Sequence, residues 1–316
     1  MADVVGGVGP VGGVGPVGGV GPVDVFEAER PRLLGLAYRL LGSLADAEDV
    51  VQEVWLRWAS ADHQAIERPA AWLTTVTSRL GIDRLRARHR DRVDYVGPWL
   101  PEPLMTDPQS DPAAVAELSD SLTTAFLVML ERLTPVERLI VLLVDVFGES
   151  FRAVADVTEH SEDACRQMAV RARRKIRANA NDNATGARPA ADPQARAVAA
   201  AFLTATLMGD RDGVMALLAP DAVLISDGGR HRHAARRPVV GPDRITRFVT
   251  NLVKRLPAGV TVHPATINGS PGVVARLDGR AWLVQSIDVV DGLIVRIHYM
   301  VNPDKLVAAD HFADLR

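Results

Sequence analysis

The chain has 316 residues, of which 47% are hydrophobic, and its formal net charge is −3 at pH 7. That length allows two or three domains with cores of their own, and so small a net charge excludes a protein that is basic over its whole surface. Its single cysteine, Cys165, excludes an internal disulfide framework and any zinc site built from several cysteines.

The first residues predict no folded structure. Residues 1–23 contain Val-Gly-Gly-Val-Gly-Pro three times, and glycine and proline both disfavour helices and strands, so we expect a disordered tail. No apolar run approaches the roughly 20 residues that cross a bilayer, and the start lacks the basic and apolar segments of a secretion signal. We therefore expect no membrane contact and a cytoplasmic location.

A first helical unit is predicted over residues 24–92. Apolar residues recur at helical spacing up to Gly42, a plausible helix stop. Ser43 then caps a second helix, with Asp46 placed as in a capping box, and Val51, Val54 and Trp58 fall on its buried face. The other face is acidic and polar, and its members are Asp46, Asp49, Gln52, Glu53 and Leu56.

A third helix, predicted to begin near Pro69, carries clustered positive charge. Six arginines fall between residues 79 and 92, and such clustering is typical of a surface that binds phosphates, although a solvated arginine face is the alternative. The residues that we expect at nucleic acid are Arg79, Asp83, Arg84, Arg86 and Arg88.

An acidic helix beside an arginine-rich helix resembles region 2 of bacterial sigma factors of the extracytoplasmic-function group. The segment Trp72-Leu-Thr-Thr-Val-Thr-Ser-Arg-Leu-Gly-Ile-Asp-Arg-Leu-Arg86 is similar to sigma regions 2.3 and 2.4. The resemblance implies that the acidic helix binds core RNA polymerase at its β′ clamp helices. It also implies that the basic helix melts and reads the downstream promoter element.

Residues 93–115 are predicted to form an extended linker, because prolines recur at positions 98, 101, 103, 108 and 112. A linker with a tryptophan and a leucine side by side suggests a segment that docks on a neighbouring domain, with chance hydrophobic residues as the alternative. The docking motif consists of Trp99, Leu100, Pro101, Glu102 and Pro103.

Residues 116–177 are predicted to form a second helical unit that ends in a helix-turn-helix. A short helix from Phe151 to Val157 precedes a longer one capped by Ser161, whose packed face includes Cys165. Glu159 stands where a glycine is common, and a left-handed conformation there costs roughly 1–2 kcal/mol. The longer helix is expected in the major groove, with base contacts from its start and phosphate contacts farther along. These contacts are assigned to Arg166, Gln167, Arg171, Arg173 and Arg174.

Following a region-2 pattern, this helix-turn-helix resembles sigma region 4. The resemblance implies that it reads the upstream promoter element and contacts the β flap of the polymerase.

A second linker is predicted over residues 178–193, and residues 194–316 differ in kind. Helical segments precede four strand-like runs that are separated by Asn268-Gly269, Asp278-Gly279 and Asp291-Gly292, which are strong hairpin signals. Helices on a curved antiparallel sheet would make an open cone, which resembles the SnoaL-like, or NTF2-like, fold. The predicted fold class is thus two all-α sigma domains, the second a helix-turn-helix, followed by an α+β cone.

Two further motifs, one at residues 227–230 and one at residues 302–306, strengthen the resemblance, which then covers residues 24–316. Together with the docking motif, they are similar to those of sigma factors with a fused SnoaL-like extension. We hypothesise that they hold the linker and both sigma domains, so that the cone replaces an anti-sigma factor. The resemblance also implies that the last segment is needed for activity while the whole extension restrains it. The two motifs are Asp227, Gly228, Gly229 and Arg230, and Asn302, Pro303, Asp304, Lys305 and Leu306.

Two alternatives stay open. The cone could be catalytic, with Asp227, Asp288, His298 and His233 as the candidate groups, but no acid–base pair stands at a telling spacing. The chain could also be a helix-turn-helix regulator whose cone senses a ligand or catalyses a reaction, although a repressor does not need an acidic docking helix. We expect no enzyme, no cofactor and no metal site, and the sequence leaves a pocket ligand undecided.

Overall fold

The computed structural model describes residues 21–91, 95–106, 123–178 and 192–311. The predicted disordered tail lies outside the described residues up to position 20. The proline-rich stretch 107–122 and most of the second linker, residues 179–191, lie outside them as well.

The first helical unit consists of α1 (Pro22–Leu41), α2 (Leu44–Ala59) and α3 (Pro69–Asp91). Helix α1 begins at Pro22, inside the last glycine-rich repeat. It ends at Gly42, whose φ of 67° is left-handed and whose N–H donates to the Tyr38 carbonyl at 2.6 Å. The predicted helix stop is confirmed, and it turns the chain sharply into α2.

The second helical unit consists of α4 (Thr124–Leu130), α5 (Pro135–Val141), α6 (Phe151–Thr158) and α7 (Glu162–Ala178). A π-helical turn, Leu142–Val146, extends α5 and was not predicted. Glu159 has φ 60° and ψ 32°, so a non-glycine residue does occupy the left-handed turn position. One continuous apolar core joins this unit to the first, since Leu33 and Leu73 belong to the same buried cluster as Leu139.

The third unit contains helices α8 (Pro193–Met208), α9 (Arg211–Ala216), α10 (Pro242–Val253) and α11 (Val307–His311). Its strands are β2 (Leu218–Asp227), β3 (Val239–Val240), β4 (Thr261–Ile267), β5 (Ser270–Leu277), β6 (Arg280–Val290) and β7 (Leu293–Met300). With β1 (Met105–Thr106) they form one sheet in the order β1-β4-β5-β6-β7-β2-β3.

The three predicted hairpin turns are confirmed. Asn268, Asp278 and Asp291 have φ values of 49°, 52° and 50°, each followed by a glycine with positive φ. The expected antiparallel pairing is confirmed for β4 to β7, but it does not extend to β2, which pairs with β7 in parallel. A hairpin fixes only the direction of the strands that it joins, and β2 lies far from β7 along the chain.

The two faces of this sheet have different neighbours. Phe202 and Ile245, from α8 and α10, pack with Ile297 and Tyr299 on one face. The other face holds Leu100 of the linker. The linker also supplies β1, whose Met105 pairs with Ile267 at the sheet edge. The sheet therefore joins the linker to the third unit directly.

Candidate functional sites

Asp227, at the end of β2, forms the centre of a buried cluster between the linker and the third unit. Its carboxylate accepts from the Tyr95 hydroxyl at 2.6 Å, the Leu100 N–H at 2.9 Å, the Lys305 ammonium at 2.7 Å and the Gly229 N–H at 3.0 Å. Asp227 is fully buried, so these donors replace the water that an ionised carboxylate requires. We call Asp227, Tyr95, Leu100 and Lys305 the Asp227 cluster.

The other side of the linker is hydrogen-bonded to the first helical unit. The Glu102 carboxylate accepts from the Leu44 N–H at 2.7 Å, and the Glu102 N–H donates to the Gly42 carbonyl at 2.9 Å. The Tyr38 hydroxyl donates to the Glu102 carbonyl at 2.6 Å and accepts from the Asn268 amide at 2.8 Å. Burial raises the pKa of Tyr38 well above its usual range, so the hydroxyl keeps the proton that it donates.

Trp99 lies between cations of two different units. The Arg88 guanidinium of α3 is 5.3 Å from its ring and the Lys305 ammonium is 4.1 Å away, both within cation–π range. A Cβ atom on Gly42 would stand 2.5 Å from the Trp99 ring. The ring thus needs the glycine that ends α1, and it links α3 to the third unit.

The structure brings most of the predicted interdomain residues together. Asn302 donates its amide to the Tyr95 hydroxyl at 3.1 Å, and Leu306 packs with Leu100. Pro303 and Asp304 lie in the short helical turn that positions Lys305. Other members are buried at the same place, namely Pro101, Pro103, Gly228 and Gly229. Arg230 is exposed instead.

The predicted polymerase-binding face of α2 is exposed at its centre, where Leu56 keeps 62% of its surface accessible and Gln52 is also exposed. Its acidic end is paired with α3. The Arg84 guanidinium lies 3.0 Å from the Asp49 carboxylate, and Arg88 lies 3.3 Å from that of Asp46. Glu53 pairs with Arg57 within α2, at 2.7 Å.

The predicted downstream-promoter residues of α3 therefore divide into two groups. Arg84 and Arg88 bind α2 and the linker, whereas Arg79 and Arg86 are more than half exposed. Arg86 pairs with Asp83 at 3.4 Å. Arg79 reaches Glu159 in the helix-turn-helix at 3.2 Å, so this helix touches the second helical unit.

On α7, the predicted upstream-promoter residues Gln167, Arg171 and Arg174 are exposed. Arg166 pairs with Glu162 at 2.6 Å on its own helix. Arg173 pairs with Asp145, and this hydrogen bond raises the pKa of Arg173. Cys165 is fully buried and belongs to the packed face, as predicted.

Contacts between the two helical units involve residues that sequence reasoning missed. Arg138 is 1% exposed, and its guanidinium donates to the Arg39 carbonyl at 2.9 Å. Arg32 of α1 donates to Glu149 at 2.6 Å and to Thr74 of α3 at 2.7 Å. Arg138 and Arg32 are ordinary charged residues in helices, and nothing in their spacing marks them as residues that make these contacts.

Two of the catalytic candidates meet on the sheet face under the linker. The His298 Nδ1 atom lies 4.0 Å from the Asp288 carboxylate, which accepts from the Ser270 hydroxyl at 3.1 Å. Burial raises the pKa of Asp288 to about 6 and lowers that of His298 to about 3. The imidazole is therefore neutral at pH 7, and the two groups do not form an ion pair.

The space beside His298 is small. Leu100, Pro101, Pro103 and Thr124 line a cavity of about 10 Å³ next to it. Of the other two catalytic candidates, Asp227 is bound to the linker and His233 is exposed.

Within the described ranges, no group of three or more histidine, cysteine or acidic side chains could hold a metal ion. Across those same ranges, every helix is too short or too polar to cross a membrane.

Comparison with known proteins matches two family models, sigma-70 region 2 over residues 25–91 and sigma-70 region 4 over residues 123–176. The chain is 39% identical to the ECF RNA polymerase sigma factor SigJ of Mycobacterium tuberculosis, over 91% of this chain and 94% of the relative. It is 32% identical to the ECF sigma factor SigE of Mycolicibacterium smegmatis, over 46% of this chain and 56% of that one. The crystal structure of M. tuberculosis SigJ superposes with a TM-score of 0.72 at 38% identity, over 90% of this chain and 98% of that one.

Proposed function

We infer that the third unit restrains the two helical units in this chain, which belongs to the extracytoplasmic-function RNA polymerase sigma factors of the sigma-70 family. The chain is a sigma factor that recognises promoters and initiates transcription through its regions 2 and 4. We propose that the third unit controls this activity and that it takes place in the cytoplasm.

The observation that carries the proposal is the buried linker. Its residues bind Asp227 and Lys305 on one side and Gly42, Leu44 and Tyr38 on the other. Removing one partner of a buried ion pair typically costs 3–5 kcal/mol, because the other charge is left without compensation. Lys305 is 8% exposed and would be such a charge. The third unit is also covalently attached, so it meets the helical units at high effective concentration.

The packing of the helical units supports a restrained state. Arg79 of α3 touches Glu159 beside α6 at 3.2 Å, and one apolar core joins the two units. Two promoter elements only one turn of the duplex apart would already lie about 34 Å apart along the DNA. We propose that α3 and α7 must separate before both can read a promoter, and that the linker and third unit oppose this separation.

We propose further roles for the exposed surfaces. Gln52, Glu53 and Leu56, with Asp49, would contact the clamp helices of core polymerase, and the helix-turn-helix would contact the flap. Arg79 and Arg86 would meet the downstream promoter element, and Gln167, Arg171 and Arg174 the upstream one. Arg84 and Arg88 would become available to DNA only after they release α2 and Trp99.

We assign no reaction to the third unit. Asp227 is engaged by the linker, and the pair of Asp288 and His298 lies beneath it. Both arrangements favour a regulatory role over catalysis.

The test is transcription with core polymerase from a promoter that the parent protein uses. Asp227→Ala should raise initiation, because it removes the acceptor shared by Tyr95, Leu100 and Lys305. Asp212→Asn, an exposed acid in the first turn of α9, is the matched control and should behave as the parent does. Deletion of residues 194–316 should also change initiation. If neither the deletion nor the Asp227 variant changes transcription, the regulatory proposal is wrong.

A further inference from the structure

A short loop on the third unit carries dense positive charge. Residues 230–237, between β2 and β3, read Arg-His-Arg-His-Ala-Ala-Arg-Arg and contain no acidic residue. We call this segment the basic loop. The predicted motif that includes Arg230 lies at its start, and Arg230 is exposed, whereas Asp227, Gly228 and Gly229 of the same motif are buried.

The loop is anchored so that most of its cations face solvent. Arg232 stacks on the Trp282 ring at 5.5 Å and donates to the Trp282 carbonyl at 2.7 Å. Arg230, Arg236 and Arg237 are exposed, and no residue of the described ranges forms an ion pair with them. Three free guanidinium groups on one anchored loop form a local excess of positive charge on a chain that is slightly acidic overall.

The basic loop lies close to the part of the linker that follows α3. A Cβ atom on Gly97 would stand 3.6 Å from the Cα atom of Arg236. Gly97 comes six positions after Asp91, the end of α3, and six residues span at most about 20 Å.

A second route connects the same surfaces through side chains. His231 lies 3.4 Å from the Asp304 carboxylate. The next residue, Lys305, lies over the Trp99 ring, which Arg88 of α3 also contacts. A chain of contacts through Asp304, Lys305 and Trp99 thus connects the basic loop to Arg88 of α3.

The surface between the linker and the loop is concave. A cavity of about 250 Å³ lies between Val96 and Gly97 on one side and Gly228 to Arg236 on the other. Its described lining includes three arginines and two histidines but no carboxylate. Such a surface favours phosphate groups, to which arginine donates in bidentate geometry.

We propose that the basic loop binds the phosphate backbone of duplex DNA beside the segment that α3 contacts. This inference rests on the proposed DNA-binding role of α3 and adds a third contact surface to it. The free guanidinium groups are exposed and spread along the loop, which suits an extended polyanion better than a single enclosed phosphate. Backbone contacts of this kind carry affinity and register but no sequence information.

The experiment measures fluorescence anisotropy of a roughly 30-base-pair duplex with the full-length chain, at salt from about 50 to 200 mM. The test variant is Arg230→Ala, Arg236→Ala and Arg237→Ala combined. The matched control is Arg196→Ala, Lys254→Ala and Arg255→Ala, which removes three exposed cations elsewhere on the same unit. Lys254 and Arg255 follow the far end of α10, a helix of 12 residues and so about 18 Å long. A third variant replaces the three loop arginines with lysine.

The test variant should weaken binding roughly tenfold at low salt. The slope of the logarithm of the binding constant against the logarithm of salt concentration should fall in magnitude by about two to three, near one per lost phosphate contact. The control should leave the slope unchanged, and the lysine variant should retain most of the affinity because it keeps the charge. Equal behaviour of the test and control variants would overturn the proposal. Competition by single-stranded RNA as strong as by duplex, or by pyrophosphate at equal phosphate concentration, would overturn it too.

A further pair of substitutions, on α7, tests the role of the basic loop separately from the proposed function. Arg171→Ala with Arg174→Ala, on α7, should also weaken duplex binding. If this α7 variant binds weakly while the loop variant matches the parent, only the role of the loop is wrong. If the parent chain fails to bind duplex even at low salt, both assignments fail.

Discussion

At the scale of single residues, Glu159 is the clearest case of local strain. Its left-handed conformation has φ 60° and costs a non-glycine residue roughly 1–2 kcal/mol. Its ion pair with Arg79 is largely exposed on both sides and contributes little.

Glu159→Gly should therefore raise the free energy of unfolding by about 0.5–1 kcal/mol, after allowance for the greater freedom of glycine in the unfolded chain. Urea denaturation followed by circular dichroism measures the change. Glu48→Gly, in the exposed middle of α2, is the control and should lower stability by about 1 kcal/mol. A loss of stability in both variants would mean that Glu159 is not strained.

Asp288 and His298 predict an unusual pH dependence. The pKa of Asp288 is raised to about 6 and that of His298 is lowered to about 3. Between about pH 4 and 6 the folded pair holds its proton on the carboxyl group, and the unfolded pair holds it on the imidazole. Both states bind one proton, so the two contributions to stability cancel over this range.

Single substitutions should remove that cancellation in opposite directions. In Asp288→Asn, only His298 remains, and its depressed pKa means that stability is lost as the pH falls from about 6 to 4. In His298→Gln, only Asp288 remains, and its raised pKa means that stability is lost as the pH rises over the same range. In each variant, the slope of the free energy of unfolding against pH should differ from that of the parent by about 1.4 kcal/mol per pH unit. Melting curves at several pH values test this, and slopes of the same sign would contradict it.

Among the helices and strands, the confirmed predictions are those that depend only on neighbouring residues in the sequence. The three hairpins follow from Asn-Gly and Asp-Gly pairs, and the end of α1 follows from Gly42. The parallel pairing of β2 with β7 depends on residues far apart in the chain, and so does the addition of β1 from the linker. No dipeptide encodes such contacts.

The same division applies to the candidate sites. The linker motif was recognisable because a plain linker rarely carries a tryptophan beside a leucine, and the Asp227 motif because it resembles one in sigma factors with a fused SnoaL-like extension. Their partners Tyr38, Tyr95 and Asn268 were missed, because each is an ordinary residue whose role depends on what packs beside it. Asn268 was interpreted only as a turn residue, although its amide also binds Tyr38.

Substitutions on the exposed face of helix α2 test whether that face binds core polymerase. Asp49→Arg with Gln52→Ala should abolish association with core polymerase, because it reverses charge on the exposed face and removes an amide. Gel filtration with core enzyme measures the loss, and duplex binding in the same preparation should persist. Ala45→Ser, an exposed position at the start of α2, is the control. Retained association would show that polymerase docks elsewhere.

At the scale of the whole molecule, the two helical units share a core in the structure, and we propose that they separate to act on different stretches of DNA. Energy transfer between dyes on Ala59→Cys and Val170→Cys can follow their separation. Both positions are exposed, and the native Cys165 is fully buried, so labelling should be selective.

Transfer should be high in the free protein and should fall when core polymerase binds. Adding Asp227→Ala should lower it without polymerase, because the linker is then held less firmly. Unchanged transfer in a holoenzyme that is active in transcription would contradict a separation of the units.

The sandwich of Arg88, Trp99 and Lys305 has a consequence for promoter choice. Under the proposal that Arg88 binds DNA after its release, an indole and a DNA phosphate compete for one guanidinium group, and a molecule with its linker in place should be a poor ligand for every promoter alike. Affinity for all sequences is then multiplied by the same factor, the fraction of molecules in the released state. Ratios between good and poor sites are preserved while absolute occupancy falls, so that at low protein concentration only the best-matched sites in a genome are filled.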